Sequence, residues 1–70
     1  MENSIEKRRK TLRVSQNLLA KWTGVTRQTI NAIENDKYDP SLALAFRLAK
    51  VLHTTVNGLF TYNWKKGEKV

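Results

Sequence analysis

The sequence predicts an all-α fold, a compact domain of five short helices, and three observations carry that prediction. Ser4, Ser15, Thr26, Ser41 and Thr55 each stand just before a stretch with apolar residues at helical spacing. A hydroxyl in that place accepts from the free N–H groups of a helix start. No stretch alternates apolar and polar residues for long enough to make a strand, so no sheet is expected. Punctuation is sparse: Pro40 is the only proline, and the glycines are Gly24, Gly58 and Gly67. With 70 residues, no repeat and no Gly/Pro-rich linker, the chain reads as one small domain.

The elements follow in order. Residues 4–12 make the first helix, capped by Ser4, with Ile5, Arg9 and Leu12 on one stripe. Val14 leads into Ser15, which caps a second helix from Gln16 to Trp22 with Leu19 and Ala20 inward. Thr23-Gly24-Val25 breaks it, because glycine accepts the positive φ of a helix C-terminus. Thr26 caps the third helix, Arg27 to Glu34, anchored by Ile30 and Ile33. Asn35 to Pro40 is a polar loop. Ser41 caps the fourth helix, about 42–52, with Leu42, Ala45, Phe46, Ala49 and Leu52 at helical spacing. After a turn at His53-Thr54, Thr55 opens a last short helix that buries Val56, Leu59 and Phe60. The domain is expected to span residues 1–62, and residues 63–70 to form a basic, flexible tail.

Composition narrows the function. Thirteen Lys and Arg against six Asp and Glu give a formal charge of +7 and a pI near 10.2. A small basic domain suggests a polyanion partner, nucleic acid before membrane. Cysteine is absent and His53 is the only histidine. Thiolate chemistry is therefore excluded, and a Ser-His-Asp arrangement has almost nothing to work with. Asp36 and Asp39 are too few and too loosely placed for a metal site. No acid/base pair or activated nucleophile is evident, so an enzyme is not expected. Nor is a cofactor, a metal or a small-molecule ligand. No apolar run approaches a membrane span, and Met1-Glu2-Asn3-Ser4 does not open a signal peptide. A cytoplasmic location follows as the expectation, nucleoid-associated when bound to DNA.

The informative spacing lies between residues 16 and 34. Two short helices joined by a tight turn need a small residue where they cross and a positive-φ residue in the turn. Ala20 and Gly24 meet those needs. Ile30 and Ile33 anchor the second helix, and Lys21, Arg27, Gln28 and Asn31 stay outside. Arginine matches guanine O6 and N7, while glutamine and asparagine match the adenine edge, so the free face carries the chemistry of major-groove readout.

Gln16-x-x-Leu19-Ala20-x-x-x-Gly24-Val25-Thr26-Arg27-Gln28-Thr29-Ile30-x-x-Ile33-Glu34-Asn35 resembles the phage-repressor helix-turn-helix of the Cro/lambda-repressor, or Xre, family. The likeness runs on through Lys37-Tyr38-Asp39-Pro40-Ser41-Leu42 and Leu48-Ala49 to Leu59-Phe60, about residues 3–60. These repressors are a standard example of the motif. The resemblance implies a DNA-binding transcriptional regulator, expected to be a repressor, that acts as a homodimer on double-stranded DNA. Arg27, Gln28 and Asn31 would touch base edges, and Ala32 would face a thymine methyl. Gln16 would reach a phosphate and brace Gln28. Thr26 and Thr29 would bond phosphates, and Asn35 and Lys37 would offer a backbone N–H and an ammonium to the next one. Arg9 would pair with Glu34, tying helix 1 to the end of the recognition helix. Lys10, in the basic run of helix 1, is a further phosphate candidate.

The chain departs from the family pattern in four places. Arg13, Asp36 and His53 stand where glycine is common, and Arg8 stands where an apolar residue usually faces the core. Leu18 and Trp22 form an apolar pair on a face the family keeps polar. They would be covered by a shifted helix 1 or would meet a protein partner. Tyr62 and Trp64 would cover the core or join a dimer interface. An antitoxin or similar interaction module that also binds its own operator is therefore the alternative function. A charge-only binder of RNA or membranes is a more distant one.

Overall fold

The computed structural model describes residues 1–62. Its elements in chain order are β1 (Glu2–Asn3), α1 (Ile5–Thr11), α2 (Gln16–Thr23), α3 (Arg27–Glu34), α4 (Leu42–Val51), α5 (Val56–Leu59) and β2 (Phe60–Thr61). The five helices stand where the caps and periodicity put them. The expectation of no sheet is corrected. β1 and β2 pair antiparallel, Glu2 opposite Thr61 and Asn3 opposite Phe60. Two-residue strands carry no periodicity, so nothing in the local pattern announces them. Trp64 and the tail at 63–70 lie outside the described residues.

Four of the five expected caps form. Ser15, Thr26, Ser41 and Thr55 accept from the N–H groups of Leu18, Thr29, Leu44 and Gly58. Each such cap stabilises its helix by about 1 kcal/mol. Ser4 does not cap α1; the carboxamide oxygen of Asn3 takes the Ile5 N–H at 3.1 Å instead. Ser4 faces the other end of the chain, where its N–H donates to the Leu59 carbonyl at 2.9 Å.

The helix ends share one device. After α1, α2, α3 and α4 a residue with φ between 57° and 75° reverses the chain: Arg13, Gly24, Asp36 and His53. The next N–H then reaches back five residues, Val14 to Arg9, Val25 to Ala20, Lys37 to Ala32 and Thr54 to Ala49, at 2.9 to 3.1 Å. This satisfies a carbonyl that the helix would leave free. Only one of the four positions is glycine. The other three carry a Cβ in the left-handed region, which strains the backbone.

Ile5, Leu19, Ile30, Ile33, Leu48, Leu52 and Leu59 are fully buried, with Ala20, Leu44, Ala45 and Ala49 between them. Each large side chain so buried contributes about 1.5–3 kcal/mol. Thr23 is also buried, its hydroxyl donating to the Leu19 carbonyl at 2.8 Å. Several inward expectations need correction. Leu42 and Phe46 are 70% and 59% exposed, because α4 buries the Leu44, Ala45, Leu48 and Ala49 stripe instead. Leu12 is exposed and Val56 is only half-buried. Leu18 packs against the core, whereas Trp22 is 51% exposed among the described residues.

Arg8 has no apolar role to fill. Its Nε donates to the Leu52 carbonyl at 3.2 Å and its Nη2 to the His53 carbonyl at 3.0 Å. A cation thus sits on the free carbonyls and the negative dipole end of α4.

Two outcomes test this description. Arg13→Gly with His53→Gly relieves two left-handed side chains at a partly offsetting entropy cost, for a net gain of about 1 kcal/mol. That gain raises the thermal midpoint by about 4–8 °C in calorimetry. Arg8→Ala removes two charge-assisted bonds and lowers stability by about 1–2 kcal/mol in urea titration.

Candidate nucleic-acid interface

The candidate interface is built from the start of α2 and the outer face of α3. Ser15 and Thr26 cap the first turns of the two helices and are themselves exposed. Gly24, at φ 75°, turns the chain between them without steric cost. On α3, Ile30 and Ile33 face the core and leave Arg27, Gln28 and Asn31 outside. These three line one concavity of about 340 Å³. A second, of the same size, is lined by Arg9, Ser15, Gln16, Asn17 and Arg27. Arg27 belongs to both. Sequence reasoning gives Ser15 a capping role only and gives Asn17 none, although their place at the head of α2 is a signal for both.

Behind this surface lies an ion pair. Arg9 Nε donates to Glu34 Oε2 at 2.8 Å, and Arg9 Nη2 to Glu34 Oε1 at 3.3 Å. Side-chain exposure is 0% for Glu34 and 11% for Arg9. The hydrogen bond to Glu34 holds the Arg9 guanidinium above its ordinary pKa, against the opposing effect of burial. Arg9 Nη1 also donates to the Val14 carbonyl at 3.1 Å, which ties the α1–α2 connection to the same point. Gln16 Nε2 donates to Glu34 Oε1 at 2.9 Å. Gln16 Oε1 in turn accepts from Arg27 Nε at 3.2 Å. Gln16 therefore braces Arg27, not Gln28 as expected. Arg27 lies eleven residues away across the turn, on the flank of α3 that faces the head of α2.

The remaining candidates are dispersed. The Thr26 and Thr29 hydroxyls lie 3.0 Å apart at the head of α3. Ala32 is half-buried on α3. The Asn35 N–H, expected to be free for a phosphate, donates to the Asn31 carbonyl at 3.1 Å, because it closes the end of α3. The Asn35 carboxamide also donates to Asn31, to its carbonyl at 2.9 Å. Lys37 is exposed in the loop after α3. Lys10 lines neither concavity and pairs with Glu6 at 2.9 Å along α1. That contact, with the charge of Lys10, lowers the Glu6 pKa. Asp36 accepts from the Asn3 carboxamide at 3.2 Å, and the same nitrogen donates to the Ile33 carbonyl at 2.8 Å. β1 is thereby fastened to the end of α3.

Among the described residues no group of carboxylates and histidines is placed to hold a metal, and no buried side-chain polar atom lacks a partner. Among them, too, no helix is long and apolar enough to cross a membrane.

The helix-turn-helix family matches residues 5–59. The chain is 47% identical over 62 residues to an uncharacterized HTH-type transcriptional regulator of Methanocaldococcus jannaschii, a match covering 89% of this chain and 94% of the relative. The DNA-binding domain of the P22 c2 repressor superposes with a TM-score of 0.72 at 30% identity, over 76% of this chain and 70% of that one. The restriction-modification controller protein C.AhdI of Aeromonas hydrophila superposes with a TM-score of 0.74 at 27% identity, over 80% and 85%. The chain belongs to the helix-turn-helix family, in its lambda-repressor-like (Xre) branch.

Proposed function

We propose that this protein is a sequence-specific DNA-binding transcriptional regulator that lays α3 in the major groove. One observation carries the reading: Arg27, Gln28 and Asn31 form a continuous polar face on a helix whose other face is locked into the core. Arg27 pairs with guanine, Gln28 and Asn31 with adenine edges, and Ala32 meets a thymine methyl. Gln16 beside Arg27, Thr26 and Thr29 at the head of α3, and Lys37 in the loop after it grip phosphates, with Lys10 on α1 as a further contact. Ser15, Gln16 and Asn17 at the N-terminus of α2 share a concavity with Arg27, where the positive end of the helix dipole favours a phosphate. The overall charge of +7 supports a polyanion partner.

A single α3 reads only a few base pairs. The protein therefore acts as a homodimer on an inverted repeat, with half-site centres about 10 bp apart. Repression follows if the site overlaps a promoter. The relatives are named as regulators, and none of them favours the antitoxin alternative.

Selection from a random duplex pool at near-physiological salt is expected to return a palindromic consensus. A featureless, salt-sensitive enrichment would overturn sequence-specific reading. With that consensus, Arg27→Ala or Gln28→Ala relaxes preference at one base pair per half-site, by about 1–3 kcal/mol, while the fold persists by circular dichroism. Lys37→Ala instead weakens binding to all duplexes alike and reduces the dependence of log K on log salt by about 1. Equal losses on every duplex for Arg27→Ala would remove it from the reading set.

A further inference from the structure

The series Arg9–Glu34–Gln16–Arg27 also fixes an orientation. Glu34 accepts from Arg9 through both oxygens and from Gln16 Nε2 at 2.9 Å. A carboxylate only accepts, so it obliges Gln16 to turn its amino group inward and its oxygen outward. That oxygen takes Arg27 Nε at 3.2 Å. With Nε anchored, the two terminal amino groups, which bond no other side chain among the described residues, form a planar fork. Those two groups make the bidentate contact with guanine O6 and N7.

We propose that Glu34, buried behind the interface, is a positioning residue that acts through Gln16 to present the end of the Arg27 guanidinium to guanine, and so sets how strongly the protein discriminates at that base pair. The inference rests on the DNA-reading function. An exposed arginine must be ordered before it can make a two-pronged contact with one base edge. On non-matching DNA it need not be ordered at all. Pre-ordering therefore favours the matching duplex selectively, by about three- to tenfold for one long side chain. The second hydrogen of Gln16 Nε2 remains available to a phosphate, so both roles coexist. They differ in what they change. A lost phosphate contact weakens every duplex equally, whereas a lost brace lowers the ratio between duplexes.

The test measures Kd for two duplexes. One carries the consensus selected by the wild type. In the other, the guanine whose preference disappears in Arg27→Ala is replaced by adenine. Gln16→Met is expected to reduce the ratio of the two by about three- to tenfold. Arg9→Met with Glu34→Met replaces the buried pair by apolar side chains of similar length, a kind of exchange that folds are known to accept. It should reduce the ratio by a similar factor, and adding Gln16→Met should cause no further loss. The Arg27 Nε–H resonance of the free protein should exchange with water faster in both variants. An unchanged ratio in Gln16→Met overturns the inference but leaves DNA reading intact. So does a full ratio in a folded Arg9→Met/Glu34→Met variant. If that double variant does not fold, the outcome for Gln16→Met alone decides. A wild type that selects no consensus overturns DNA reading itself, and the positioning role with it.

Discussion

A carboxylate with no exposure to water has to be neutralised where it stands, and Glu34 is such a group. Arg9 meets it with two hydrogen bonds and spends a third on the Val14 carbonyl, while Gln16 supplies another donor. One buried charge thereby joins α1, the connection to α2, the head of α2 and the end of α3. Removing one partner of such a pair costs about 3–5 kcal/mol, more than any surface contact here could return. The relative placement of α2 and α3, on which the candidate interface depends, is held from behind by this cluster as well as by Ala20, Ile30 and Ile33.

The helix ends obey a second constraint. Short helices leave a large share of their carbonyls unsatisfied, and this fold closes four of them with the same left-handed reversal. Glycine would do so at least cost, yet Arg13, Asp36 and His53 hold three of the positions. Asp36 also binds Asn3, so the side chain there has a partner that glycine could not offer. The His53 carbonyl is held by Arg8, and the departure at position 8 thus bears on the departure at position 53. The two departures meet at the C-terminus of α4.

Asn3 illustrates what local pattern misses. Its carboxamide caps α1, bonds the end of α3 through Ile33 and touches Asp36, while its backbone lies opposite Phe60 in the two-stranded sheet. Ser4, the better-looking cap by residue type, is drawn instead to Leu59 and Gly58. The competition was settled by contacts more than fifty residues away in sequence, and no window of a dozen residues contains them. The exposed Leu42 and Phe46 have a related origin. Both fit helical spacing, but α4 offers two overlapping stripes, and only packing against α2 and α5 selects the one through Leu44 and Leu48.

Local sequence suffices for the five helices, the caps at Ser15, Thr26, Ser41 and Thr55, the break at Gly24 and the identity of the exposed face of α3. Those features depend on residues within one or two turns of each other, where side-chain chemistry acts directly on the backbone. Tertiary structure decided the pairing of β1 with β2, the cap by Asn3, the grip of Arg8 on α4 and the choice of Arg27 over Gln28 as the partner of Gln16. Each of these depends on which donor and acceptor arrive at the same place after the chain has folded. Spacing along the chain fixes a face, but only three-dimensional packing fixes a distance.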